Sequence, residues 1–113
     1  MEDLKKDAED NKIMGILAYL GILFLVPYLA AKESPFARFH ANQGCILFIV
    51  EVAFYIVMFI LGMILPLGLY LIISLLYFVC GIGIFVLVIL GIVNAIKGEK
   101  KELPLIGKYT ILK

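Results

Sequence analysis

The feature that most limits what this chain can fold into is a long stretch with almost no charge. Ala41 to Ile96 spans 56 residues, and Glu51 is the only charged one among them. One crossing of a bilayer takes about 20 apolar residues, so the stretch is long enough to cross twice. The chain is 64% hydrophobic and only 17% charged, which is too apolar for a water-soluble domain of ordinary composition. We therefore predict an all-α integral membrane protein.

Turn-forming residues divide the chain into three apolar segments. Ser34 and Pro35 predict a helix start, because serine is a favoured N-cap and proline suits the first helical position. Pro66 to Gly68 supply a turn, and Lys97-Gly98 ends the third segment. We predict a small bundle of three hydrophobic helices, of which the second and third form an antiparallel hairpin. The predicted organisation is a polar flexible N-terminus at 1–12, a single membrane domain at 13–107 with spans at about 13–31, 44–65 and 69–96, and a tail at 108–113.

Two arrangements of the first segment stay open. As a full crossing it leaves seven of the ten Lys and Arg residues on the side of the C-terminus and three opposite, which orients the C-terminus to the cytoplasm. Pro27 interrupts the segment, however, and a residue before proline avoids helical geometry, so the segment could instead turn back there as a re-entrant hairpin. That arrangement places all ten cations inside, but re-entrant elements must be buried in protein. We expect three crossings of the cytoplasmic membrane.

The second helix carries a polar stripe into the membrane. An ionised carboxylate at the depth of Glu51 is costly unless it is paired, hydrated or protonated, so we expect Glu51 to face protein or water. The stripe is interpreted either as a proton- or ion-responsive site or as a hydrogen-bond network between helices, and we favour the network. By helical periodicity, Arg38 and Asn42 project away from it toward the headgroups. The polar members of the stripe are His40, Gln43, Glu51 and Tyr55.

Small residues on the third helix predict close packing. A hairpin centred near Leu67 brings Glu51 opposite the run from Gly81 to Gly83, and Gly91-x-x-x-Ala95 has the small-xxx-small spacing at which helices approach closely. The same geometry brings Asn94 near His40. The candidate packing residues are Gly81, Gly83, Gly91, Asn94 and Ala95.

No residue pattern indicates catalysis, a cofactor or a metal. Cys45 and Cys80 have no CxxC spacing, and His40 is the only histidine, so ligand spacing for a metal is lacking. No serine, cysteine or lysine is placed with a base as an activated nucleophile would be. The net charge of +1 gives no basic face for nucleic acid. We predict a non-enzymatic protein without cofactors.

The run KESPFARFHANQG at 32–44, an apolar hairpin, GIVNA at 91–95 and LPLIG at 103–107 together resemble a known family. It is a family of small bacterial and archaeal multi-pass membrane proteins of unknown function, distantly related to the twenty-kilodalton component of the chloroplast inner-envelope import translocon. The resemblance covers about residues 13–107, and it implies a polytopic membrane protein with a role in protein translocation or assembly. The chloroplast members are described with four spanning helices, whereas this chain has apolar segments for three. The motif residues that we take as candidate contacts to a partner or to lipid are Ser34, Pro35, Phe36, Arg38, Phe39, His40, Asn42, Gln43 and Gly44.

Three functional hypotheses follow. The first is a non-catalytic helper or subunit that lies in the lipid bilayer and binds copies of itself or other membrane proteins. The second is a small homo-oligomeric proton or ion transporter or channel that uses Glu51, because three or fewer helices cannot enclose a solute path alone. The third is a membrane-integral regulator or immunity-type protein. We favour the first.

Overall fold

The computed structural model describes residues 2–112, with side chains from residue 5 onward. The described part of the chain is helical with no strand, which confirms the predicted all-α class. Two single 3-10 turns lie at Gly21–Phe24 and Leu67–Leu69. The five α-helices are α1 (Glu2–Asp10), α2 (Lys12–Leu17), α3 (Leu25–Ala30), α4 (Pro35–Ile64) and α5 (Tyr70–Ile96).

Helices α4 and α5 form the predicted antiparallel hairpin, and its ends follow the sequence signals. The Ser34 hydroxyl accepts a hydrogen bond from the Ala37 amide at 3.0 Å, which satisfies one of the free N–H groups at the start of α4. Gly98 has a φ of 72°, and the Glu99 amide donates to the Asn94 carbonyl at 2.8 Å. This left-handed glycine with its backward bond is a Schellman ending, so α5 stops where Lys97-Gly98 predicts.

The hairpin is long and apolar enough to cross a membrane. Pro35–Ile64 and Leu67–Ile96 each contain 30 residues, about 45 Å of helix at 1.5 Å per residue, which exceeds the ~30 Å hydrocarbon core. The molecule is accordingly elongated, with extents of 58 × 22 × 21 Å. In the second of these helices only 6% of the most apolar window is buried inside the protein. Most of the hairpin surface is therefore not covered by the rest of the protein.

The first apolar segment contains no helix of spanning length, and it turns back on itself. Gly15 lies against Phe36 near the start of α4, Phe24 lies against Phe48 with ring centroids 5.6 Å apart, and by Ser34 the chain has returned to the start of α4. It therefore follows α4 for about 12 residues, roughly 18 Å, and comes back. The segment thus follows the course of the re-entrant alternative, and within the described residues it forms no single helix of the length that the expected third crossing needs.

The re-entrant segment bends at a different place from the one predicted. The break lies at Leu20-Gly21, where Gly21 adopts a φ of 64° that glycine tolerates without strain. Pro27 is instead the third residue of α3 and is buried. Proline is accepted there because the first-turn N–H groups of a helix have no partner within the helix. The segment is buried in protein on one side only, since Ala18 and Tyr19 are 0% and 1% exposed, whereas Leu20 and Ile22 at the bend are 44% and 58% exposed.

The N-terminal stretch forms helix α1, which is in contact with the rest of the protein. Ala8 on α1 is buried in a small cluster with Phe36 and Ala95. The close approach of Ala8 to Gly98 ties α1 to the end of α5 as well. We call the end of the molecule that is formed by residues 2–48 and 91–112 the base.

Candidate functional site

The candidate motif lies in the base, and most of its side chains point inward. Pro35 and Arg38 are exposed and Phe39 is half-buried. Since the other six residues are occupied within the chain, any contact with a partner or lipid has to use these three. The buried motif residues are Ser34, Phe36, His40, Asn42, Gln43 and Gly44.

His40 is the fully buried centre of the base. Its Nε2 lies 2.8 Å from the Glu99 carbonyl oxygen, and because a carbonyl only accepts, Nε2 carries the proton. Nδ1 then accepts a hydrogen bond from the Tyr19 hydroxyl. The rings of Tyr19, Phe36 and Phe39 meet the imidazole edge-on, with centroids 4.6 to 5.5 Å away. One histidine thus joins the re-entrant segment, α4 and the chain after α5.

Gln43 holds the segment that follows α5. Its Nε2 donates to the Gly107 carbonyl at 2.9 Å, and its Oε1 accepts from the Leu103 amide at 2.8 Å. Both polar atoms of a side chain that is 1% exposed are therefore satisfied by the backbone of 103–107. Gly107 has to be small, because a Cβ there would collide with Gln43 Oε1 and the Leu103 backbone.

Asn42 holds the last described residues in the same way. Its Nδ2 donates to the Tyr109 carbonyl at 2.9 Å, and its Oδ1 accepts from the amides of Ile111 and Leu112 at 2.7 and 2.9 Å. The prediction that Asn42 projects toward the headgroups is wrong, since the side chain is 7% exposed beneath this segment. We call residues 99–112, held by His40, Gln43 and Asn42, the clamped tail.

Asp7 closes the start of α4 from the other side. Its Oδ1 accepts from the Ser34 hydroxyl at 2.6 Å and its Oδ2 from the Phe36 amide at 3.0 Å. A carboxylate at a helix N-terminus is favoured by the free amides and by the helix dipole. Ser34 therefore works as an internal cap with both its donor and its acceptor used.

The predicted packing residues divide into two groups. A side chain on Gly91 would overlap the Tyr19 ring, and Ala95 is 0% exposed, so this pair is a close-packing surface in the base. A Cβ on Gly81 or Gly83 would meet nothing within 4 Å, so these two glycines do not pack against the rest of the chain. Asn94 makes one long bond, from Nδ2 to the Lys101 carbonyl at 3.5 Å.

The polar stripe is interrupted partway along α4. His40 and Gln43 belong to the base, whereas Tyr55 is 63% exposed. Glu51 is half-buried and lines a 290 Å³ groove with Gly81 and Phe85, which agrees with the expected pairing of Glu51 and Gly81 across the hairpin. Within residues 5–112 the Glu51 carboxyl has no hydrogen-bond or ion-pair partner, and the network interpretation therefore applies only to the base.

Sequence reasoning missed the partners of the motif. Tyr19, Asp7 and the backbone of 99–112 supply the other half of nearly every bond described above, and Tyr19 lies in an apolar run without any distinguishing neighbour. The one sequence signal for these partners was the LPLIG run at 103–107, which is part of the family resemblance. Across residues 5–112 no group of three or more His, Cys, Asp and Glu side chains could hold a metal ion.

Comparison with known proteins finds relatives that match most of the chain. Residues 10–110 match the profile of MamF/MmsF, described as the magnetosome magnetite crystal formation protein family. The chain is 33% identical over 100 residues to magnetosome protein MamF of Paramagnetospirillum magneticum, covering 88% of this chain and 82% of that protein. It is 39% identical over 103 residues to UPF0132 membrane protein MJ1443 of Methanocaldococcus jannaschii, covering 87% and 83%.

No solved structure matches the chain. Neither of the two relatives is named as an enzyme. The relation to the chloroplast import component has no support in these comparisons, whereas the expected small prokaryotic membrane family is confirmed. The profile covers nearly the whole chain, including the motif, the hairpin and most of the clamped tail. The chain therefore belongs to the MamF/MmsF family of small prokaryotic membrane proteins.

Proposed function

We propose that this protein is a non-catalytic helper or subunit that binds other membrane proteins, or further copies of itself, through the hairpin. The observation that carries the proposal is the groove at Glu51. An ionised carboxyl at this depth costs several kcal/mol unless it is paired, hydrated or protonated, and residues 5–112 provide no partner. A helix from another chain that donates a hydrogen bond to Glu51 would supply it.

The surface around the groove suits a helix as the occupant. Gly81 and Gly83 are exposed and have open space beside them, and small residues let a second backbone come close in a bilayer. Phe85 and Tyr55 are 64% and 63% exposed on the two sides. The Glu51 carboxyl can accept a hydrogen bond, and glycines and aromatic rings flank it. Van der Waals packing and one hydrogen bond would therefore hold a second helix against this surface.

Crosslinking in cells tests this proposal. A photoreactive amino acid at Phe85, in the groove, is expected to give adducts with a distinct membrane protein or a second copy, identified by mass spectrometry. The matched control is the same probe at Val79, which is 58% exposed but points about 120° away on the helix. Glu51→Leu should reduce the Phe85 adduct. Equal labelling at both positions, or adducts with lipid alone, would contradict the proposal.

The groove at Glu51 also favours a second candidate, a homo-oligomeric proton or ion transporter. Purified protein in liposomes would then carry a proton or cation flux that Glu51→Gln abolishes at unchanged expression. Absence of flux together with the Phe85 adduct leaves the helper function in place. A role in translocation or assembly rests on the motif resemblance alone, and a regulatory role gains no specific observation from the structure.

We further propose that the base faces the cytoplasm. All nine Lys and Arg residues described by the structure lie in the base, whereas the turn at Leu65–Leu69 is uncharged. Cations next to spanning helices are retained inside. Both the start of α1 and the clamped tail are then cytoplasmic, and the two crossings are α4 and α5.

A further inference from the structure

The base has a 620 Å³ groove on its outer side, and nothing described so far uses it. One wall is the first turn of α4 with the connection before it, carrying Lys32 and Arg38, and the other wall is the clamped tail at Thr110 and Leu112. The floor includes Asn42, whose hydrogen bonds fix the tail in place. Asn42, a residue of the candidate motif, therefore determines the shape of the groove.

The charge of this groove favours an anion. Lys32 and Arg38 are both exposed, and Glu33 is the one acid among the lining residues. Among the side chains of residues 5–112, no carboxylate oxygen lies within 4.0 Å of the Lys32 ammonium or the Arg38 guanidinium. The ion pair in this part of the chain lies outside the groove and joins Lys101 to Glu99 at 3.1 Å. The guanidinium of Arg38 is therefore available for a phosphate, which it binds in a two-pronged geometry.

The groove also has an apolar lining, and apolar side chains are exposed on the same side of α4 beyond the buried residues 40–47. Pro35, Phe39 and Leu112 line it beside the cations. Further along α4, Ile49, Val52 and Ile56 lie within about 40° of the direction of Arg38 on the helix. These three are 47%, 40% and 54% exposed. A ligand with a charged head and long apolar chains matches both parts.

We propose that this groove binds the headgroup of one anionic phospholipid, with Arg38 and Lys32 contacting the phosphate and the acyl chains lying along the outer side of α4. The location fits, because the cations lie where the helix leaves the hydrocarbon core. This proposal is separate from the function proposed above, since it uses the outer side of the base and not the groove at Glu51.

Native mass spectrometry of the full-length protein in detergent tests the site. Phosphatidylglycerol should bind with a stoichiometry of one and in preference to phosphatidylcholine with the same chains. Lys32→Gln/Arg38→Gln should weaken that binding, by roughly fivefold for each cation removed. The matched control Lys6→Gln/Lys100→Gln removes the same charge from exposed positions outside the groove and should leave the binding unchanged.

A charge-neutral variant separates a shaped site from general attraction. Asn42→Ala releases the tail wall without altering any charge, and it should also weaken phosphatidylglycerol binding, whereas Asn94→Ala should not. Arg38→Lys keeps the charge and is expected to retain part of the binding. Unchanged helicity and elution on size-exclusion chromatography confirm that each variant is folded.

Four outcomes would overturn the proposal. Equal binding of the two lipids, or an equal loss in the control pair, would mean that the attraction is diffuse. Displacement of the lipid by glycerol 3-phosphate at similar concentration would make the ligand a free phosphate compound. A photoreactive residue at Thr110, which lines the groove and leaves both cations in place, would make the groove a protein-docking surface if it labels protein in place of lipid.

Discussion

The backbone carbonyl of Ala18 occupies the space that a side chain on Gly44 would need. The re-entrant segment reaches α4 closely enough for Tyr19 to bond His40 only because this position has no Cβ. Gly44 therefore determines how the segment docks, and the motif combines one close backbone contact with three side chains that bind the clamped tail.

Gly44→Ala should destabilise the base by about 3 kcal/mol, the upper part of the range for overpacked sites, since the new methyl group meets a backbone atom that cannot rotate away. Gly62→Ala on the same helix is the control, because a Cβ there meets nothing within 4 Å and alanine favours helix by up to about 1 kcal/mol. Unfolding in mixed micelles, followed by circular dichroism, measures both. Similar stability of the two variants would show that the contact is absent.

Tyr19→Phe should cost about 1–3 kcal/mol, because it leaves Nδ1 of the buried His40 without a hydrogen bond. Tyr55→Phe removes the same hydroxyl from a side chain that is 63% exposed and should change stability by less than about 0.5 kcal/mol. The same unfolding assay compares them. If the two substitutions have equal effects, the Tyr19–His40 bond does not contribute to the fold.

Gln43→Glu should loosen the clamped tail. The Nε2 donor that faces the Gly107 carbonyl becomes a carboxylate oxygen, so one hydrogen bond turns into a repulsion in a buried place. Losing about 1.4 kcal/mol of local stability corresponds to about tenfold more opening. Trypsin should therefore cut at Lys108 about tenfold faster than in the wild type.

The control for this experiment is Asn94→Ala, which removes only the long 3.5 Å bond to Lys101. Its cleavage rate at Lys108 should stay at the wild-type value. A Gln43→Glu protein that is cut no faster than this control would show that the tail is held by other contacts.

Cysteine labelling should place residues 5 and 108 on one side of the membrane and residue 67 on the other. Lys5→Cys, Lys108→Cys and Leu67→Cys are made in a background lacking Cys45 and Cys80, and Leu67 is 91% exposed in the turn. A membrane-impermeant maleimide applied to intact cells and to inverted vesicles reports the side. Labelling of residues 5 and 108 from opposite sides would restore the three-crossing arrangement.

The two long helices could be predicted because their determinants are local. Ser34, Pro35 and Gly98 act on the backbone next to them, and the absence of charge from Ala41 to Ile96 apart from Glu51 requires an apolar environment. The pairing of Glu51 with Gly81 then follows from counting residues on either side of the turn. Helix propensity and helix capping are readable in this way without knowledge of the fold.

The re-entrant course was one of two alternatives, but its bend at Gly21 and the clamped tail could not be predicted, because their determinants are tertiary. Gly21 supplies the bend, yet a lone glycine in an apolar run does not reveal its φ. Asn42 and Gln43 bond to backbone groups, which every residue has, so their partners leave no trace in the sequence. Pro27 misled the prediction, since its position in the first turn of α3 makes it harmless there.

The uncharged turn at Leu65–Leu69 has a consequence for how the protein is made. A hairpin that inserts must carry its turn through the hydrocarbon core. This turn has no ionised group, so the free-energy cost of moving a charge across the core is avoided. When the base is cytoplasmic, its Lys and Arg residues stay on the side of the membrane where the chain is synthesised. Helices α4 and α5 can therefore enter the bilayer together as one unit, after which the base assembles around the ends that stayed behind.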